Sequence, residues 1–138
     1  MLLATIRLLF LFAMQTASDD VTRGLPVHTV NLIADRNSVF RVLGEKNGQM
    51  ELVAGEPVHL HVDARKGKSM NRDGSVHGLL LLNSQRKPTP GWDLLFKPGV
   101  HEMELIAPTE PGLYEAVCTV ICSTQHEEMK LQVVVRAK

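Results

Sequence analysis

The strongest constraint on the fold is a regular succession of short β-forming segments separated by turn residues. Residues 58–63 and 100–106 alternate apolar and polar side chains, as a strand does when only one of its faces is buried. Residues 76–82 are almost entirely apolar, which is typical of a strand buried on both faces. Aromatic side chains make up only 4% of the chain, so the core must consist mainly of Val, Leu and Ile, which favour strands. This pattern predicts an all-β fold.

Turn signals divide the chain into about eight predicted strands. Asn47-Gly48 lies between the second and third of them, and this dipeptide is a strong hairpin signal. Prolines and glycines between residues 88 and 99 predict irregular connections there. Strands of this number and spacing predict an antiparallel Greek-key β-sandwich. The predicted strands cover residues 27–34, 39–43, 50–53, 58–63, 76–82, 100–106, 113–118 and 129–136.

The length and charge of the chain indicate one domain, and its first residues indicate export. The 138 residues are enough for one hydrophobic core, and the 15 basic and 15 acidic side chains cancel. Zero net charge gives no electrostatic reason to expect binding to nucleic acid or to an anionic membrane. Residues 1–18 combine Arg7, a short apolar run and small residues, which predicts a signal peptide or, if it is retained, a short N-terminal anchor. We therefore expect a single domain over residues 19–138, in the periplasm or another extracytoplasmic compartment.

Four side chains with metal-binding atoms lie in one short stretch near the C-terminus. Cys118, Cys122, His126 and Met129 follow the spacing C-x3-C-x3-H-x2-M, and these two cysteines are the only ones in the chain. Thiolate, thioether and imidazole groups are ligands that copper prefers. In the predicted strand order the four residues share one loop, and His77 reaches the same end of the sandwich from another strand. The sequence therefore predicts a copper site.

The second cysteine leaves several uses of this loop open. A mononuclear blue copper site needs two histidines, one cysteine and a weak axial methionine, so one cysteine would be surplus. Two thiolates four residues apart can instead bridge two copper ions, each completed by one histidine. A Cys118–Cys122 disulfide and a zinc site of two cysteines and two histidines are the alternatives, although zinc has little use for the thioether of Met129.

The sequence around these residues resembles the dinuclear copper (CuA) domain of cytochrome c oxidase subunit II and nitrous oxide reductase. The similarity includes the ligand stretch within residues 111–135, the segment 52–60 and the segment 73–78, and it covers roughly residues 27–136. It departs from the family at Ser123, where oxidase members usually have Gly, and at Val120, where Glu or Trp is usual.

The resemblance implies a cupredoxin fold that holds two copper ions. His77 and His126 would each bind one copper, and Cys118 and Cys122 would bridge the two. Weak axial contacts would come from the sulfur of Met129 and from the backbone carbonyl of Val120, so that the side chain at position 120 would not itself be a ligand.

We expect the protein to transfer single electrons through this centre and not to act as an enzyme. No nucleophile with a neighbouring base is evident in the sequence. The resemblance implies a redox partner such as a c-type cytochrome or a terminal reductase. The alternative is a copper-binding module for copper delivery, storage or sensing, with a mononuclear or labile site.

Two further groups of polar residues allow more than one interpretation. His59 and His61 lie two residues apart on one predicted strand, where they form either a minor metal patch or simply part of the outward face. Asp73 and Asp93 either orient a ligand histidine or are ordinary surface residues.

Overall fold

Nine strands form two sheets in the computed structural model, which describes residues 27–121 and 126–138. One sheet has the strand order β2-β1-β4-β7 and the other β3-β9-β8-β5-β6. The predicted β-sandwich is thus confirmed, with nine strands among the described residues in place of about eight. The strands are β1 (His28–Asp35), β2 (Val39–Val42), β3 (Met50–Val53), β4 (Pro57–Ala64), β5 (His77–Leu82), β6 (Pro88–Phe96), β7 (Gly99–Ile106), β8 (Gly112–Val117) and β9 (Lys130–Arg136), and a 3-10 turn spans His126–Glu128.

The sandwich is not wholly antiparallel, because each sheet contains one parallel pair. β1 runs parallel to β4, with Leu32 beside Val62, and β3 runs parallel to β9, with Met50 beside Val133. The other strand pairs are antiparallel. A parallel pair needs a long crossover connection, and between β1 and β4 the chain passes through β2 and then through the opposite sheet. The prediction of an antiparallel sandwich is therefore wrong at these two pairs.

The Asn47-Gly48 turn joins the two sheets and does not close a hairpin. Gly48 has a φ of +65°, as the turn requires, but β2 pairs with β1 while β3 pairs with β9. An Asn-Gly turn fixes only the local reversal of the chain, and each strand then pairs where its apolar face can be buried. The hairpin prediction is therefore wrong.

The segment with several prolines, predicted to be irregular, forms the nine-residue strand β6. It lies at the edge of the five-stranded sheet, beside β5. Proline has no N–H to donate, which excludes it from central strands but not from an edge. Trp92 and Phe96 of this strand are at most 1% exposed, and the indole N–H of Trp92 donates to the carbonyl oxygen of Ile106 at 2.8 Å. The burial of these two rings explains why the segment is ordered as a strand.

The core lies between the two sheets. It consists largely of the apolar side chains that alternate with polar ones along the strands. Along β4 every second residue is buried, and the polar residues between them face outward. Each fully buried Val or Leu contributes about 1.5–3 kcal/mol relative to an exposed one. In the described part of the chain, no helix is long and apolar enough to cross a membrane. The β4 residues of the core are Val58, Leu60, Val62 and Ala64.

Candidate metal centre

Three neighbouring strands of the five-stranded sheet bring four of the six predicted site residues to one end of the sandwich. These are His77, Cys118, Val120 and Met129. The strands lie in the order β9-β8-β5. His77 is the first residue of β5, Cys118 directly follows β8, and Met129 directly precedes β9. β8 is antiparallel to both of its neighbours, so these three positions lie at the same edge of the sheet.

The strand register places these side chains next to one another on the inner face. β5 and β8 pair Leu80 with Val117, and continuing that register sets His77 opposite Val120. The N–H of Cys118 donates to the carbonyl oxygen of Met129 at 3.1 Å, which continues the β8–β9 ladder by one residue. His77, Val120 and Met129 are at most 1% exposed, and Cys118 is 9% exposed. The arrangement is therefore a buried group of one imidazole, one thiol and one thioether.

The hydrogen bond of His77 fixes the tautomer of its neutral ring. Its Nε2–H donates to the backbone carbonyl of Arg65 at 2.8 Å, so in the neutral ring Nδ1 carries the lone pair. Nδ1 is buried and has no hydrogen-bond partner among the residues that the structure describes. Burial lowers the pKa of His77, and the Arg65 carbonyl opposes that shift. A neutral imidazole whose second nitrogen bonds a backbone carbonyl is the usual state of a metal-binding histidine.

Arg65 is the residue that sequence reasoning missed. Its own N–H donates to Ala34 O at 2.9 Å, and its guanidinium pairs with Asp63 at 3.0 Å and with the buried Asp35 at 3.7 Å. These contacts fix the Arg65 backbone, and with it the carbonyl that orients His77. A backbone acceptor can be supplied by any residue type, so the sequence carries no signal for this role.

Asp73 does not have the orienting role that was one reading of the sequence. Its carboxylate accepts hydrogen bonds from the N–H of Ser75 at 2.9 Å and from the Ser75 hydroxyl at 2.6 Å. These bonds hold the pKa of Asp73 below its usual value. They shape the turn that leads into β5 and so act on His77 only through the backbone. Asp93 lies in β6, where it pairs with Leu80.

Backbone groups of Gly78 and Val120 lie at hydrogen-bonding distance from the sulfur of Cys118. The N–H of Gly78 donates to Sγ at 3.5 Å, and the thiol donates to the carbonyl oxygen of Val120 at 3.4 Å. The first contact would persist in a thiolate, because the sulfur is the acceptor. In a thiolate the Val120 carbonyl would lose its S–H donor. The Val120 carbonyl oxygen therefore lies close to the sulfur of Cys118.

Cys122 and His126 complete the predicted set of side-chain ligands. Cys122 lies outside the described residues, and for His126 only the backbone of the 3-10 turn is described. Within residues 27–121 and 126–138, no three His, Cys, Asp or Glu side chains are grouped so as to hold a metal ion. The metal-binding roles of all six residues, and the disulfide alternative, stay predictions.

His59 and His61 lie on the outward face of β4, as the simpler of their two interpretations predicted. Their rings contact two carboxylates of the neighbouring strand β7. His59 Nδ1 is 2.5 Å from Glu104 and its Nε2 is 2.7 Å from Glu102, while His61 Nδ1 is 2.5 Å from Glu102. Both nitrogens of His59 can donate only when the ring is protonated, and these contacts with Glu104 and Glu102 raise the pKa of His59. We call this group the His–Glu cluster.

The donor atoms that the structure brings together fit copper. A buried imidazole nitrogen without a partner among the described residues, a thiol and a thioether form a soft donor set with one oriented histidine. The His77 ring and the Cys118 sulfur bond backbone groups, and the backbone carbonyl of Met129 accepts from the N–H of Cys118, so all three residues are held at strand ends. A site built in this way changes little in geometry when a bound ion changes charge.

No protein-family model matches the chain, and no curated protein matches it at a significant level. Solved structures with the same architecture do match. One is the heme-copper terminal oxidase dimer, with 18% identity, a TM-score of 0.53 and coverage of 84% of this chain and 68% of that one. Another is auracyanin B, with 19% identity, a TM-score of 0.53 and coverage of 80% and 90%.

A third match is the periplasmic domain of cytochrome oxidase subunit II (CoxB) of Bradyrhizobium japonicum. It shares 12% identity with a TM-score of 0.52, over 80% of this chain and 85% of that domain. Identities this low establish the architecture alone. Together with the two-sheet topology of the described residues, they show that the chain has a cupredoxin-like β-sandwich fold.

Proposed function

We propose that the protein transfers single electrons through a dinuclear copper centre at the β5–β8–β9 end of the sandwich. The ligands would be His77, Cys118, Cys122, His126 and Met129, together with the Val120 carbonyl oxygen. Bound copper supplies the one-electron oxidation and reduction, and the protein supplies a fixed set of soft donors. No substrate is chemically changed.

One observation carries this proposal: the orientation of His77. The ring is fully buried, its Nε2–H is held by the Arg65 carbonyl, and Nδ1 has no hydrogen-bond partner in the described part of the chain. A buried polar atom without a partner costs about 1–3 kcal/mol. Such a cost is tolerated where the atom has a function, and the neighbouring Cys118 and Met129 indicate that this function is to bind a soft metal ion.

The presence of two thiolates in the loop favours a site with two copper ions over a site with one. A single blue copper site would use one of the two cysteines and leave the other at the same loop without a role. Two thiolates also balance much of the charge of two copper ions, which lowers the cost of burying them. The Val120 carbonyl, already 3.4 Å from the Cys118 sulfur, would serve as a weak axial ligand.

The partner would be another redox protein, such as a c-type cytochrome or a terminal reductase. One similar structure is a heme-copper terminal oxidase, and another is the periplasmic domain of subunit II of a cytochrome oxidase. The loop carries an exposed apolar side chain, Ile121, and the exposed acidic pair Glu127 and Glu128. Such a rim suits a partner with a basic surface. An extracytoplasmic location is consistent with a signal peptide over residues 1–18.

The test is reconstitution of the reduced apoprotein with copper. Copper stoichiometry and the optical and electron paramagnetic resonance spectra are measured together. We expect two copper ions per chain and a hyperfine pattern of one electron shared over both nuclei. One copper ion with a signal localised on one nucleus would refute the dinuclear centre and favour a mononuclear site.

The Cys122→Ser variant tests the bridging role directly. Removing one bridge should convert the site to a mononuclear or weakly bound one, whereas Ser123→Ala in the same loop should leave stoichiometry and spectrum unchanged. Unchanged copper content in Cys122→Ser would show that Cys122 does not bridge. Rapid loss of copper from the wild-type protein to a chelator, without reversible redox cycling, would favour copper delivery over electron transfer.

A further inference from the structure

The backbone at Gly78 lies unusually close to the loop that carries the candidate ligands. Gly78 follows His77 and, in the continued β5–β8 register, lies opposite Thr119. A Cβ atom added to Gly78 would overlap Oγ1 of Thr119 and would lie 3.3 Å from the Cβ of Thr119 and 3.2 Å from the carbonyl oxygen of Leu94. Gly78 is not among the glycines with positive φ. A side chain here would therefore be crowded by Thr119 and Leu94, whereas the backbone conformation itself would allow one.

Both members of this contact are joined directly to candidate ligands. Gly78 is bonded to His77, and its N–H donates to the sulfur of Cys118 at 3.5 Å. Thr119 lies between Cys118 and Val120, both of which are buried while Thr119 itself is exposed. The contact thus lies on the outer side of the two strands, behind the site. The distance between Gly78 and the Thr119 side chain therefore limits how closely β5 approaches the loop that follows β8.

We propose that Gly78 and Thr119 form a steric pair that positions His77 against the sulfur of Cys118. The pair acts through the backbone and touches no metal ion, so both are positioning residues. This proposal rests on the copper centre proposed above. The Thr119 side chain fills the space over Gly78, and this close fit brings the Gly78 N–H within reach of the sulfur.

The consequence for a copper-loaded site is a shift in reduction potential. A methyl group at position 78 would overlap Thr119 on one side of β5 and crowd Leu94 O of β6 on the other, so the Gly78 backbone must shift and its N–H contact to Sγ must change. Hydrogen bonds to a ligand sulfur tune the potential of a copper site, because they draw electron density from the sulfur. A weaker bond leaves the sulfur more electron-donating and stabilises the oxidised state. Gly78→Ala should therefore shift the reduction potential, downward where this bond is weakened.

The experiment is a double-mutant cycle on the copper-loaded protein. It compares wild type, Gly78→Ala, Thr119→Ala and the double variant by reduction potential and by the hyperfine pattern of the copper signal. Thr119→Ala removes the Oγ1 that the new methyl group would overlap, so the double variant should recover most of the wild-type potential and spectrum. A role in stability alone would leave both readouts unchanged.

Each outcome separates this proposal from the one on which it rests. If wild type binds copper and Gly78→Ala has the same potential and spectrum, the positioning role is wrong while the copper centre stands. If wild type takes up no copper, the proposed function itself is wrong. If Gly78→Ala does not fold, recovery of folding and of copper binding in the double variant supports the pair, and failure to recover overturns it.

Discussion

Replacing His77 with leucine should make the copper-free protein more stable while removing its ability to bind metal. Leu has a volume near that of His and no polar atoms, so it fits the buried position without adding an unpaired group. Three contributions decide the change in the free energy of unfolding: the buried Nδ1, the bond from Nε2–H to Arg65, and the gain of apolar contact.

The magnitudes favour stabilisation. Removing a buried polar atom that has no partner recovers about 1–3 kcal/mol. Losing the hydrogen bond to the Arg65 carbonyl costs about 0.5–1.5 kcal/mol, and the apolar side chain adds a smaller gain. We therefore expect copper-free His77→Leu to be more stable than wild type by on the order of 1 kcal/mol.

The assay is urea unfolding of the copper-free proteins with a chelator and a reductant present. A pH of about 8 keeps His77 neutral, because burial lowers its pKa. Tyr114→Phe is the matched control, since it also removes one 2.8 Å bond to a backbone carbonyl, that of Glu110, but no unpaired atom. The control should lose about 0.5–1.5 kcal/mol. A loss of about 2 kcal/mol or more in His77→Leu would show that Nδ1 has a partner in solution, and the reasoning would fail.

Two further predictions concern the sandwich away from the site. The His–Glu cluster raises the pKa of His59 above 6.5, so its contribution to stability is complete below about pH 6.5 and is lost as the pH rises through the raised value. The melting temperature of wild type should therefore fall more between about pH 6 and pH 9 than that of His59→Gln. His28→Gln is the control and should behave like wild type. If wild type and His59→Gln lose melting temperature equally over this range, the link between His59 protonation and stability is wrong. Leu60→Ala, at a fully buried position in β4, should lose about 2–5 kcal/mol in urea unfolding. Leu113→Ala, at a position 58% exposed, should change stability by under about 0.5 kcal/mol, and equal losses in both variants would contradict the assignment of the core.

Local patterns in the sequence predicted most of the strands, because alternation depends only on which face of a strand is buried. β4 and β7 follow that rule closely, and their predicted segments fall within the observed strands. β6 was missed because its prolines and glycine resemble a connection, and only its place at a sheet edge makes them compatible with a strand. The pairing of β2 and β3 with different sheets depends on long-range burial, which an Asn-Gly turn does not encode.

The candidate site shows the same division between local and long-range information. Cys118 and Met129 could be singled out because residue type and spacing indicate soft ligands, and the predicted strand order placed His77 at the same end of the sandwich. The Arg65 carbonyl and the close fit at Gly78 could not be predicted. Both depend on how separate strands approach one another. A sequence carries no signal for a backbone acceptor or for the lack of a methyl group.

The composition of β6 has a consequence for how copies of this protein behave at high concentration. An outermost strand offers its free backbone groups to any extended chain that meets it, which is a common route to aggregation. Pro88 and Pro90 offer no N–H at two positions of this strand. Gly91, with a φ of +80°, and the irregular pairing opposite Leu80 and Leu82 further disturb its regular path. The same prolines and glycine that led to the prediction of an irregular connection thus protect the folded protein from self-association along that edge.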